Sequence, residues 1–270
     1  MALPDKNFWH QAWEKHIAAN RRYHDYYLQA STWDMMAADY KVEVQNEAEL
    51  ASTIISRFDL PPGTHIIDLG CGPGNLSLPL LAMGYQVTAI DISTKMLERL
   101  LHAVPDQHRE RLQIIQLDWQ ADTKIPNLPP AGLVIAHMTP AVNSPEALDK
   151  MLKLPGEHYF YASWAGARQS LPYDEIAHHL LPKNSDEGGQ HLFFAFNYLL
   201  SLGHYPRLSY RDHSWQKQLS IDAAVHSFCQ RLQLTRPEIT QDVVRQMLLP
   251  LLREGKIQLD NSGRIGEVYF

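Results

Sequence analysis

The chain has 270 residues, 45 % hydrophobic and 20 % charged, an ordinary globular balance that can bury a core without staples. Its formal net charge of −6 argues against a duplex-binding face, though a local basic groove stays open, and two distant cysteines, Cys71 and Cys229, exclude a disulfide framework. No run approaches the roughly 18 uninterrupted apolar residues of a membrane span, and residues 1–10 lack the apolar stretch of a signal peptide, so a cytoplasmic location is expected.

In chain order, the stretch to about residue 41 carries Phe8, Trp9, Trp13, Ile17, Tyr23, Tyr27 and Leu28 at spacings that suit amphipathic helix. A second helix is predicted over 46–58, stopped by Leu60-Pro61-Pro62-Gly63. The period then changes. Residues 65–69 form a short apolar run into a glycine turn, which reads as a buried strand. A helix over 76–83 has Gly84 at its C-terminal cap, and 85–90 reads as the second strand. Ser93 caps a helix whose apolar stripe is Met96, Leu97, Leu100, Leu101 and Val104. Strands follow at 112–117, 132–137 and 158–164, with a helix at 145–152 before the last. Beyond Trp164 the pattern gives a polar loop at 183–189, a helix at 191–202 and a strand at 207–219. Helices at 221–234 and 238–253 and a final strand at 263–270 close it. Strands alternating with helices predict a doubly wound α/β fold, its mainly parallel sheet covered on both faces.

The informative segment is Asp68-Leu69-Gly70-Cys71-Gly72-Pro73-Gly74-Asn75. Glycines at a strand end let the backbone turn sharply and approach a ligand, and the next helix aims free amides at the same crevice. Asn75 stands where a dinucleotide fingerprint would have its last glycine. Asp68 would repel a diphosphate and attract a cationic ligand end. Both features weigh against a nicotinamide-dependent oxidoreductase.

That segment resembles motif I of the class I S-adenosylmethionine-dependent methyltransferases, whose fold is Rossmann-like. Asp91-Ile92-Ser93 resembles the family's acidic ribose-binding position, about 20 residues on, as one βαβ unit requires. Asp118-Trp119 resembles the adenine-contacting step, and Ala136-His137-Met138-Thr139-Pro140 the region that lines the methyl-transfer site. The resemblance covers about 60–165 well and the flanks loosely. It implies S-adenosylmethionine as cofactor and S-adenosylhomocysteine as product. Asp68, Gly70, Gly72 and Gly74, with Cys71 among them, would surround the methionine part, Asp91 and Ile92 the ribose, and Asp118 and Trp119 the adenine. Residues 1–59 would form a helical lid on a methyltransferase domain over 60–270. That domain would have a cofactor half at 60–165 and an acceptor-side half with helical additions at 166–270, all one compact unit.

Methyl transfer from a sulfonium is an in-line displacement, so the protein mainly positions and desolvates the acceptor. A general base is needed only for a protonated acceptor. His137, at a strand end facing the ligand, is the candidate catalytic or cofactor-side residue; its bland reading is a histidine bonded to backbone. Trp33 and Tyr40 resemble a lid segment whose aromatic faces attract a cation, and Tyr40 is a second catalytic candidate. Trp9 and Trp13 read instead as packing residues. The Met138-Thr139-Pro140-Ala141 run lacks the Asn/Asp-Pro-Pro-aromatic signature of base-modifying amine methyltransferases. Arg207, Ser209 and Arg211 would share one strand face, able to hold an anion, though such alternation is more often a solvated edge. The 14 histidines show no HExxH or comparable spacing, so no metal is expected. The expected partner is a small-molecule acceptor. An RNA- or protein-modifying methyltransferase and a non-catalytic cofactor-binding protein are the alternatives.

Overall fold

A computed structural model describes residues 5–40, 44–166, 168–182 and 191–270, so the predicted polar loop at 183–189 lies outside the described residues. The aromatic N-terminal stretch is three helices rather than one: α1 (Lys6–Ala19), α2 (Arg21–Tyr27) and α3 (Ala30–Met36). Asp5 caps α1 by accepting the Phe8 N–H at 3.0 Å. The break after α2 is held by side chains. Thr32 Oγ1 and Trp33 Nε1 donate back to the carbonyls of Tyr26 and Tyr27, each at 2.7 Å, and reverse the chain. Helix α4 (Val44–Ser56) follows.

The alternating region runs β1 (His65–Leu69), α5 (Ser77–Ala82), β2 (Gln86–Asp91), α6 (Thr94–Ala103), β3 (Leu112–Gln116), β4 (Ala131–His137), α7 (Pro145–Met151) and β5 (Gly156–Trp164). Next come β6 (Gln169–Leu171) and α8 (Tyr173–Leu180), neither of which stood out in the sequence. Then follow α9 (His191–Ser201), β7 (Arg207–Ser220), α10 (Ile221–Gln233), α11 (Gln241–Leu248) and β8 (Lys256–Tyr269). The helix expected over 238–253 is shorter because the Thr240 side chain caps it late and Pro250 breaks it early.

The sheet order is β3-β2-β1-β4-β5-β8-β6, with β7 also paired to β8. The first five strands are parallel, and β8 is antiparallel to β5, β6 and β7. The sheet is mostly parallel and doubly wound. One face, including Ile67, Leu69 and Val134, packs on α1, α7 and α9. The other, including Ile66, Leu133 and Phe160, packs on α4, α5 and α6. The antiparallel β7–β8 pair runs from Arg207↔Tyr269 to Ser220↔Lys256, whereas β5 meets β8 only as far as Trp164↔Ile265. That pair therefore runs past the carboxyl end of β5. There Ile257 and Leu259 join α8, α10 and α11 in a third core. Among the described residues no helix is long and apolar enough to cross a membrane.

Candidate functional site

Strand order reverses between β1 and β4, and at such a switch point the loops leaving adjacent strands diverge and open a crevice. A pocket of about 620 Å³, partly open to solvent, lies there. Gly70, at φ +71°, makes the turn out of β1, and a Cβ on it would overlap the Thr139 side chain leaning in from β4. Met138, between β4 and that threonine, takes φ +52°, a left-handed conformation that costs energy for a long side chain.

Of the residues singled out above, Trp33, Tyr40, Gly70, Gly72, Asp91, Ile92, Asp118 and Trp119 line this pocket. Asp91, only 9 % exposed, accepts the Gly72 N–H on Oδ2 and the Ser93 N–H on Oδ1, both at 2.8 Å. Burial pushes its carboxyl up against those bonds. Asp118 closes its own turn by accepting the Gln120 and Ala121 N–H groups. Trp119 is fixed by Nε1 donating to the Ala147 carbonyl at 3.1 Å, with the Lys150 ammonium 4.4 Å above its ring.

Asp68, Cys71, Gly74 and His137 stand behind the pocket wall. Asp68 accepts the Ser77 hydroxyl at 2.6 Å. Burial pushes it up to about 6, with Asp91 and Glu47 adding repulsion. Neither Asp68 nor Asp91 has an ion pair among the described residues. The Cys71 thiol is pushed well up by burial and contacts the Gly72 carbonyl, an arrangement that suits packing rather than attack. A Cβ on Gly74 would strike Leu100, so this glycine lets the turn pack on α6.

His137 lies in a polar row set by register, His137↔Ala162↔Glu267↔Ser209, across β4, β5, β8 and β7. Arg211 donates Nη2 to His137 Nε2 at 3.1 Å and Nε to Glu267 Oε1 at 3.0 Å. Arg57 reaches Glu267 Oε2 at 2.6 Å, and Ser209 donates to the same oxygen at 2.9 Å. Burial and the adjacent Arg211 charge push His137 down to about 3, so its ring stays neutral. Glu267 is the opposite case. Burial alone would raise it, but its donors hold it below the usual carboxylate range. Arg207 stays exposed, so of the expected strand face only Ser209 and Arg211 converge, and they do so on Glu267.

The roof comes from the N-terminal helices. Asp34 of α3 accepts the Ser93 hydroxyl at 2.6 Å and the Lys95 N–H at 3.1 Å, which latches α3 onto the start of α6 beside Asp91. Trp33 meets Tyr40 edge-on at 6.4 Å, and Tyr27 lines the same space. Tyr40 keeps 36 % of its surface, yet burial around its phenol pushes it up, with Glu47 and Asp91 nearby. Trp13 is fully buried and donates Nε1 to His191 Nδ1 at 2.9 Å, a packing position. Sequence reasoning passed over Glu47, which accepts from Asn75 Nδ2 at 3.2 Å, and the Asp34–Ser93 latch. These partners are 28 and 59 residues apart, and no local pattern marks them.

A family model described as a methyltransferase domain matches residues 66–154. Ribosomal RNA small subunit methyltransferase A of Mycobacterium avium is 28 % identical over 41 % of this chain and 36 % of its own length. Trans-aconitate 2-methyltransferase of Paracidovorax citrulli is 43 % identical over 20 % of this chain and 22 % of its own. The chain thus spans well under half the length of these curated relatives. A solved magnesium protoporphyrin IX methyltransferase from Synechocystis, with bound S-adenosylhomocysteine, is 15 % identical. The match covers 83 % of this chain and 82 % of that one, with a TM-score of 0.44.

Proposed function

Because residues 66–154 are a methyltransferase domain of the class I S-adenosylmethionine-dependent family, we propose that this chain transfers a methyl group from S-adenosylmethionine to a small-molecule acceptor. The observation that carries the reading is the uncompensated negative charge at the switch point. Asp68 and Asp91 are buried together without a counter-cation among the described residues, which disfavours a diphosphate and favours a ligand with cationic ends.

The residues present fit that cofactor. Asp91 takes backbone amides on both of its oxygens and keeps acceptor capacity for a ribose hydroxyl. Ile92, Leu117 and Trp119 line a mainly apolar stretch of the pocket where the base would lie, with Asp118 beside them. Asp68, one layer below Gly70, supplies negative potential where an ammonium would sit. When bound, S-adenosylmethionine supplies a methyl group on a sulfonium, open to in-line displacement by the acceptor. Trp33 and Tyr40 line the pocket as aromatic groups that would attract a cation and exclude water from it. Tyr40 stays protonated at neutral pH and can donate a hydrogen bond. His137, its Nε2 occupied by Arg211, orients the β4 end rather than exchanging a proton at that atom. Met138 and Thr139 shape the floor on which an acceptor would rest.

The aromatic roof of Tyr27, Trp33 and Tyr40 supports a small acceptor over an RNA duplex, as does the acidic net charge. The test is calorimetric titration of the protein and its Asp91→Ala variant with S-adenosylmethionine and S-adenosylhomocysteine. Micromolar binding to the parent, weakened at least 50-fold in the variant, is expected. No binding to folded, ligand-free parent protein would remove the reading, and equal binding by both proteins would remove Asp91 from the ribose.

A further inference from the structure

The pocket at the switch point is acidic. Asp91 and Asp118 line it, and no lysine, arginine or histidine is among its described lining residues. Asp68, which adjoins the lining residue Leu69, and Glu47, bonded to Asn75 of the same glycine turn, add carboxylates from behind. S-adenosylmethionine carries a sulfonium, an ammonium and a carboxylate. It therefore brings one net positive charge, which leaves these acids only partly offset.

Three aromatic residues line the same space. The Trp33 ring lies 5.9 Å from that of Tyr27, with 48° between their planes, and 6.4 Å from that of Tyr40, with 64° between them. The indole is fixed by Nε1 donating to the Tyr27 carbonyl at 2.7 Å, and Tyr27 is backed by the rings of Tyr23 at 4.8 Å and Tyr26 at 5.0 Å. The group is thus in place before a ligand arrives. Rings grouped beside carboxylates suit an alkylated ammonium and disfavour an anion.

The same lining is poor in bases. Asp118 accepts the Gln120 and Ala121 N–H groups, and Asp91 those of Gly72 and Ser93. Burial pushes the phenols of Tyr27 and Tyr40 up, so both stay protonated. His137 lies behind the wall with Nε2 on Arg211. An alcohol acceptor would need a base to take its proton, whereas an amine that arrives unprotonated needs none.

We propose that the methyl acceptor is an amine, bound among Tyr27, Trp33 and Tyr40 and released as a methylated ammonium. This rests on the methyl-transfer reading above. The amine enters with its nitrogen unprotonated, that proton having been left in bulk water. Its lone pair bonds to the methyl carbon as the carbon–sulfur bond breaks, the pair of that bond stays on sulfur, and the positive charge passes to nitrogen. Transfer to a carboxylate or phenolate would instead cancel the charge that offsets Asp91 and Asp68.

The test uses the full chain saturated with S-adenosylhomocysteine, titrated with tetramethylammonium, with choline, with dimethylbutanol as choline's neutral carbon isostere, and with benzoate. At least one of the two cations is expected to bind at least tenfold more tightly than dimethylbutanol, and benzoate not to bind. Trp33→Leu should weaken the cation about tenfold, as a lost cation–π contact does, and Trp33→Phe should weaken it less. No cation binding by the parent, dimethylbutanol or benzoate binding as tightly as the cations, or unchanged cation affinity in Trp33→Leu would each overturn the proposal. The comparison of cations with dimethylbutanol in the parent decides it even where Trp33→Leu fails to fold. Failure of S-adenosylhomocysteine to bind the parent is a separate result, and it overturns the methyl-transfer reading itself.

Discussion

At neutral pH the fold keeps Asp68 out of water with no cation beside it among the described residues, at a cost that linkage makes measurable. Its folded-state pKa, pushed up to about 6 by burial, exceeds the ordinary carboxylate value, so the folded chain holds this proton more tightly than the unfolded one. Stability from this group is therefore complete below about pH 4, declines as pH rises, and is gone above pH 6, a change of about 3 kcal/mol. Asp68→Asn keeps an acceptor for Ser77 and removes the charge. The variant should melt several degrees above the parent at pH 8, with most of that gain absent at pH 5; equal differences at both values would contradict the assignment. In the parent, affinity for a cationic ligand should rise through pH 6, as the carboxylate ionises. Asp68, Gly70 and Asp91 were legible because glycine spacing and a following acid are local patterns. The Asp34–Ser93 contact was not, since its partners stand 59 residues apart and only the fold brings them together.

Helix α3 is held to the start of α6 by one carboxylate, Asp34, which takes a hydroxyl and a backbone N–H from the loop that also binds Asp91. The Asp91 carboxylate and the roof are thus coupled through Ser93. Asp34→Ala should free the roof, raising dissociation of S-adenosylhomocysteine about tenfold, as expected for lost bonds to a charged group. Limited proteolysis should then cut near α3 faster; an unchanged rate of ligand release would show the roof held by packing alone. The parallel strands were legible as elements because buried strands are short apolar runs between turn signals. Strand β6 was not, having three residues, and the first half of β8 was hidden by Asp260-Asn261-Ser262-Gly263, which imitates a turn. In the fold these residues pair with β7 and β6, and Gly263 is needed against Trp164.

Across the whole molecule, Glu267 joins parts that lie far apart in sequence. Its two oxygens hold Arg57 after α4 and Arg211 on β7, and Ser209 donates to it as well. Glu267→Leu would leave two guanidiniums facing each other with no carboxylate between them. A loss of about 3 kcal/mol is expected. For a chain of this size that is a fall in melting temperature of roughly 6–12 °C. A variant as stable as the parent would show that water, not Glu267, neutralises the row. The alternation of strands and helices was enough to read the doubly wound core. The seating of β8 between β5 and β6 was not, because strand pairing across about a hundred residues leaves no periodic trace.

That late strand also sets a schedule. The ribosome makes β5 about a hundred residues before its partner on β8, an interval of roughly 5–20 s at ordinary translation rates. Until β8 arrives, one edge of the nascent sheet offers unpaired amides and carbonyls to any passing strand, including the same edge of a neighbouring nascent chain. Slowing translation between residues 165 and 265 would lengthen that exposure. The yield of soluble protein then depends on codon usage in a stretch that does not line the pocket.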